Sequence, residues 1–137
     1  LDKDEKFECN DKIYIDRSGG ANHCQFINEN EIANYHQNQG FTKYKLEDLS
    51  FSKQIYLFKN AKYIVGAHGA GFSNLAFCKE NINVIEVRPE DHPNNIYNRL
   101  STINKLNYRL ISTNKVNNDK KKGDINLKIE DLQKYLF

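Results

Sequence analysis

Three glycines fall within six residues in Gly66-Ala67-His68-Gly69-Ala70-Gly71, between the apolar run Ala61 to Val65 and the apolar-rich stretch Phe72 to Cys78. Glycine admits positive φ and lets the backbone approach a ligand with no Cβ in the way. A helix starting after the turn would aim its unpaired N–H groups and positive dipole end into the same space. A diphosphate suits such a corner. The spacing is neither the GxGxxG dinucleotide fingerprint nor a P-loop, since no Gly-Lys-Ser/Thr follows. A plain tight strand-to-helix turn uses glycines in the same way, so spacing alone leaves both readings open.

The polar residues around the turn sharpen the first reading. His68 can donate to a phosphate oxygen or move a proton, although a lone histidine is more often structural. Arg17, beside Gly19-Gly20, offers a bidentate fork for phosphate, and its alternative is a surface arginine paired with a carboxylate. Glu86 interrupts the apolar run Val84-Ile85-Glu86-Val87, where a carboxylate needs a partner. A ribose hydroxyl would serve, and a half-exposed edge strand is the alternative. Asn74 is expected to anchor the loop by bonding the loop's backbone rather than to touch a ligand. Glu47-Asp48 form a second carboxylate pair, or a polar lead into a helix cap.

These residues need elements to position them. Short apolar runs alternate with amphipathic stretches, the pattern of a parallel sheet with crossover helices. Strands are expected at 12–17, 41–46, 61–65, 83–87 and 108–111. Pro89 stops the fourth because it lacks the N–H of a central ladder. Asn28-Glu29-Asn30-Glu31 reads as a capping box opening a helix to about Gln39, with Gly40 as its stop. Ser50 caps a helix expected to bury Phe51, Ile55 and Phe58. Helices are also expected at 72–78, 95–106 and about 129–136. The expected fold is a single α/β, three-layer, Rossmann-like doubly wound parallel sheet over residues 1–137, with its core at 12–111 and a charged loop at 115–124. Right-handed crossovers gather the loops after the strands at one edge, where Arg17, Glu47, the His68 turn and Glu86 converge.

Composition narrows the class. The chain has 137 residues, 39% hydrophobic and 28% charged, enough for one core and a charged surface. Its net charge of +2 forms no stripe, and the one dense basic run, Lys120-Lys121-Lys122, lies among loop-forming residues. Nucleic acid is not implied. Three cysteines without a CxxC pair suggest reduced thiols in the cytoplasm and no zinc site. No run reaches the ~18 apolar residues of a membrane span. The start at Leu1 without a methionine suggests a fragment.

The string Phe51-x-x-Gln54-Ile55-x-Leu57-Phe58-x-x-Ala61, then Ile64-Val65-Gly66-x-His68-Gly69-Ala70-Gly71-x-x-Asn74-Leu75-x-Phe77 and Val84-Ile85-Glu86-Val87, resembles glycosyltransferase family 61. Asn28-Glu29-x-Glu31-Ile32 resembles the family's Asn-Glu-x-Glu-Leu motif, and Arg17 resembles the arginine ending the preceding strand. The resemblance runs over roughly residues 12 to 111. The family includes bacterial capsular polysaccharide biosynthesis proteins and eukaryotic transferases of N-acetylglucosamine or xylose. The resemblance implies a metal-free, inverting transferase of the GT-B type, of which this chain is the C-terminal half. That half would bind a nucleotide-sugar, UDP-linked, with no further cofactor. Arg17 and His68, Gly69, Ala70 and Gly71 would hold the diphosphate and Glu86 the ribose, with Asn28 and Asn74 in support. The partners it implies are a glycan or polysaccharide acceptor and an N-terminal domain, with the enzyme in the cytoplasm or at the inner face of the membrane. One departure stands out, because His23-Cys24-Gln25-Phe26-Ile27 replaces the arginine-containing stretch that many members carry before the Asn-Glu motif. A non-catalytic nucleotide-binding module is the competing function.

Overall fold

A computed structural model describes residues 8–18, 24–90, 95–113 and 125–134. Gly19, Gly20, His23, the charged stretch 115–124 and the last turn expected for the terminal helix lie outside them. Five strands form one all-parallel sheet: β1 (Lys12–Ile15), β2 (Thr42–Tyr44), β3 (Tyr63–Ala67), β4 (Asn83–Pro89) and β5 (Asn107–Thr113). Their order is β2-β1-β3-β4-β5. The helices are α1 (Glu29–Asn38), α2 (Phe51–Asn60), α3 (Ile96–Ile103) and α4 (Ile129–Gln133), with 3-10 segments at Leu46–Asp48 and Ala70–Phe77.

The order explains the layers. The chain leaves β1 toward β2 on one side and returns to build β3, β4 and β5 on the other. With right-handed crossovers, that reversal puts α1 on one face and α2, Ala70–Phe77 and α3 on the opposite face. Tyr14, Val65 and Ile85 accordingly pack with Ile32 of α1 and with Ile125, Leu127 and Leu132. Ile13, Ile64 and Val84 pack with Leu57, Phe58, Leu75 and Tyr97. Both faces are covered, which is why Ile64-Val65 and Val84-Ile85 read as unbroken apolar runs.

Several local expectations change. Strand β4 continues through Pro89, opposite Thr113 of β5. Glu90 donates to Thr113 O and Val87 O accepts from His68, so alternation turns Pro89 toward β3. Strand β3 ends at Ala67, so the missing N–H costs no ladder bond. Strand β2 is three residues long, and Leu46 turns into a 3-10 segment instead of ending a strand. Ser50 caps α2 as expected, its Oγ accepting from Lys53 N at 3.2 Å. Phe51, however, is 59% exposed, and the buried stripe of α2 is Leu57 and Phe58. The inward position one turn after Phe51 belongs to Gln54, whose amide donates to Leu46 O at 2.8 Å and Leu49 O at 3.2 Å. Burying Leu57 and Phe58 contributes about 1.5–3 kcal/mol each.

Gly40 has φ 89° after α1 and ends that helix as expected. Asn28 precedes α1 but makes no side-chain cap bond. Its Nδ2 donates to Leu127 O at 2.8 Å and to Glu31 Oε2 at 3.3 Å, an orientation that leaves Oδ1, the atom a capping box would use, without a hydrogen bond. Ala70–Phe77 is a 3-10 helix and not the expected α-helix. Five residues of β3 must be retraced, about 17 Å, and eight residues cover about 16 Å as a 3-10 helix but about 12 Å as an α-helix.

Candidate functional site

A cleft of about 310 Å³, counted to its open mouth, is lined by Ile15, Asp16, Arg17, Leu46, Glu47, Ala67, Gly69, Gly71 and Phe72. The enclosed part of it is about 70 Å³, well below the roughly 300–1,000 Å³ of small-molecule sites, so the cleft is a shallow corner open to solvent. The lining comes from the ends of β1 and β3 and from the 3-10 segment after β2. The strand order reverses between β1 and β3, and ligands of open parallel sheets bind at such reversals, outside the carboxyl ends of the strands.

The glycine turn is shaped by close approach and not by positive φ. Gly69 sits at φ 175°, ordinary extended backbone. A Cβ built there would lie 1.4 Å from Arg17 Nη1 and 2.1 Å from Arg17 Cζ, so the guanidinium occupies the space of the missing side chain. A Cβ at Gly71 would lie 2.6 Å from Leu46 Cδ1, and one at Gly66 would lie 3.0 Å from Ile15 Cβ. The glycines thus bring β1, β3 and the Leu46 segment together. Arg17 is half-buried, which lowers its guanidinium from the usual range, while Cys24, Tyr97 and Glu47 act in the opposite direction.

Behind the turn lies a buried polar chain. His68 is 5% exposed, its N–H bonds Val87 O at 2.8 Å, and its Nδ1 lies 2.6 Å from Glu86 Oε2. Tyr108 OH donates a very short bond to Glu86 Oε1. Glu86 is 0% exposed in an interior strand, so the edge-strand reading fails, and both its oxygens have protein side-chain partners. The Tyr97 ring lies 5.1 Å from His68 and 5.6 Å from Phe72.

Of the residues singled out in the sequence, Arg17, Glu47, Gly69 and Gly71 line the cleft and His68 and Glu86 stand behind it. Ala70 is exposed at the start of the 3-10 helix. The Asn74 side chain bonds another side chain rather than the loop backbone, with Nδ2 donating to Gln54 Oε1 at 3.0 Å. Gln54 in turn holds Leu46 and Leu49, so this chain braces one wall of the cleft. Asn28 is engaged with Leu127 instead of with cleft residues.

Sequence reasoning overlooked Tyr14, Asp16, Glu29 and Tyr108. Asp16 is 2% exposed at the end of β1, its Oδ1 accepting from Ser18 N at 2.8 Å and its Oδ2 3.9 Å from Lys43 Nζ. Glu29 lies near enough to Asp16 to feel its charge and accepts from Tyr14 OH at 2.6 Å. Burial pushes the Glu29 carboxyl up to about 7, with Tyr14 opposing and Asp16 reinforcing the shift. The available signal was position, since Asp16 directly precedes Arg17 at a strand end and Glu29 opens the helix that follows.

The family model for Glycosyltransferase 61 matches residues 3–85, more than half of the chain. This chain belongs to glycosyltransferase family 61. The matched span of this family 61 chain contains Arg17, Asn28, the whole glycine turn and Asn74. It begins before and ends sooner than the resemblance read from motifs, so Glu86 and Tyr108 lie beyond it. No curated protein matches the family 61 chain. Among its described residues no helix is long and apolar enough to cross a membrane.

Proposed function

We propose that this chain is the donor-binding, C-terminal half of a GT-B type glycosyltransferase, holding the diphosphate of a UDP-linked sugar in the cleft between β1 and β3. The observation that carries the reading is the Arg17 guanidinium lying over Gly69 at the strand-order reversal. A charged fork at that position bonds diphosphate oxygens bidentately. The three-layer domain then spans residues 1–137, and an upstream domain supplies the acceptor site and the base.

In the transfer step an acceptor hydroxyl oxygen attacks the anomeric carbon from the face opposite the diphosphate. The bond from that carbon to the diphosphate oxygen breaks, its electron pair leaves with the diphosphate, and configuration inverts. The hydroxyl proton passes to the base. Arg17, His68 and the backbone of Gly69, Ala70 and Gly71 stabilise the developing negative charge, a task that needs no metal when cations and N–H groups are preorganised. Asp16 can stand beside an anion because Ser18 N and Lys43 already engage its carboxylate. Glu47 balances Arg17 until a ligand arrives. The product is a glycan or polysaccharide of the capsular kind, made at the cytoplasmic side of the membrane.

Calorimetry with UDP, GDP and UDP-sugars tests the reading. Arg17→Ala should weaken UDP binding by about 10- to 100-fold, the value of a charge-assisted hydrogen-bonding group. Equal binding by the variant sinks the proposal. Binding without sugar transfer, even with the upstream domain present, points instead to a nucleotide-binding module.

A further inference from the structure

We propose that Tyr108 and Glu86 are positioning residues for His68: the buried Tyr108–Glu86–His68 chain fixes the imidazole with its proton on Nδ1, so that the ring meets the donor through Nε2. The inference deepens the donor-site reading and rests on it. Tyr108 and Glu86 lie outside the span matched by the family model, and the structure itself joins them to the glycine turn.

The geometry sets each group's role. Val84 and Glu86 share one face of β4, and Tyr108 of β5 pairs with Val84, so the phenol reaches Glu86 on the diagonal. Burial and the bond to Glu86 both raise the phenol above its ordinary range, so it stays protonated and donates. Glu86 Oε1 is thereby taken, and Oε2 is left to His68 Nδ1 at 2.6 Å. A carboxylate there accepts the Nδ1 proton, which fixes the tautomer and the ring plane. The His68 backbone is held as well, through its bond to Val87 O. Three polar side chains from three different elements thus converge in a core where an apolar set would pack at lower desolvation cost. Their arrangement makes sense as orientation of the one member that belongs to the turn.

The amide of Glu86→Gln supplies a directional test. The Tyr108 phenol claims the amide oxygen and turns the NH₂ group toward Nδ1, which must then accept. The ring-nitrogen spectra of ¹⁵N-histidine-labelled chain, with His68 assigned by its loss in His68→Gln, should show the Nδ1–H tautomer in the unmodified protein. Glu86→Gln should show the Nε2–H tautomer, Tyr108→Phe should keep Nδ1–H because the carboxylate still accepts, and the two changes together should show a mixture because nothing then orients the amide. UDP affinity should fall about tenfold in Glu86→Gln and about threefold in Tyr108→Phe, as expected for losing orientation but not the ligand contact itself. An identical His68 tautomer in the unmodified chain and in Glu86→Gln overturns the proposal. A shifted tautomer with unchanged UDP affinity overturns it too. If the unmodified chain binds no UDP at millimolar concentration, the donor-site reading falls alone, and the spectra still decide whether this chain of bonds sets the ring.

Discussion

Arg17 Nη1 lies 1.4 Å from where the Cβ of a residue at Gly69 would stand, so the guanidinium and any side chain at position 69 exclude one another. The glycine is therefore a specification for the arginine, made 52 residues away from it in sequence.

Gly69→Ala should separate binding from folding. The atoms in the way are the far end of a flexible side chain, and the backbone is already extended, so stability should change by less than about 1 kcal/mol. The guanidinium must leave its seat, and UDP affinity should drop about tenfold or more. Thermal denaturation and calorimetry on the same sample check both halves, and unchanged affinity would contradict the seat described for Arg17.

His36 should make the protein sensitive to acid. It is 5% exposed, stacks on Tyr14 at 4.9 Å, and its Nδ1 lies 2.9 Å from Ile32 O. Burial lowers its pKa from 6.5 to about 4. A depressed folded value means the contribution is complete above pH 6.5 and is lost as pH falls toward 4, about 3 kcal/mol in all. In Glu29→Gln, with the opposing group gone, the melting temperature should fall steadily over that window.

Glu29 acts with the opposite sign. Its carboxyl is raised from 4.5 to about 7, chiefly by burial, so its contribution is complete below pH 4.5 and is lost as pH rises through 7. The side chain is partly exposed, and screening reduces the effect to about 1–2 kcal/mol. His36→Phe should therefore melt at lower temperature as pH rises from 4.5 to 7, while the unmodified chain stays comparatively flat between these limits. Parallel slopes in the two variants would contradict the assignment of both groups.

Gln54→Leu should loosen the cleft without touching a ligand. It removes bonds to Leu46 O, Leu49 O and Asn74 Nδ2 and leaves Asn74, 8% exposed, without this partner. A loss of about 1–3 kcal/mol is expected in urea unfolding, with UDP affinity reduced about threefold.

The sheet was legible from sequence because its strands are buried on both faces, and runs such as Ile64-Val65 announce that condition locally. Ser50 and Gly40 were legible for the same reason, each satisfying a backbone need within a few residues. Glu86 was not, since its partners His68 and Tyr108 lie 18 and 22 residues away and only the strand order unites them. The glycines show the same limit. Spacing reveals that Cβ atoms are absent from Gly69 and Gly71, but the side chains filling those spaces come from Arg17 and Leu46. Phe51 and Asn28 carried correct helix signals, and tertiary neighbours then assigned the inward position to Gln54 and the amide to Leu127.

The bond between Tyr108 and Glu86 joins an edge strand to the interior and has a consequence for sequence drift. A donor-less residue at 108 would leave buried Glu86 Oε1 without its phenol, and a neutral residue at 86 would release 108 from its role. Among sequences that keep this sheet, the two positions should therefore change together, while Thr42 and Lys43 on the opposite edge strand, both exposed, vary independently of them.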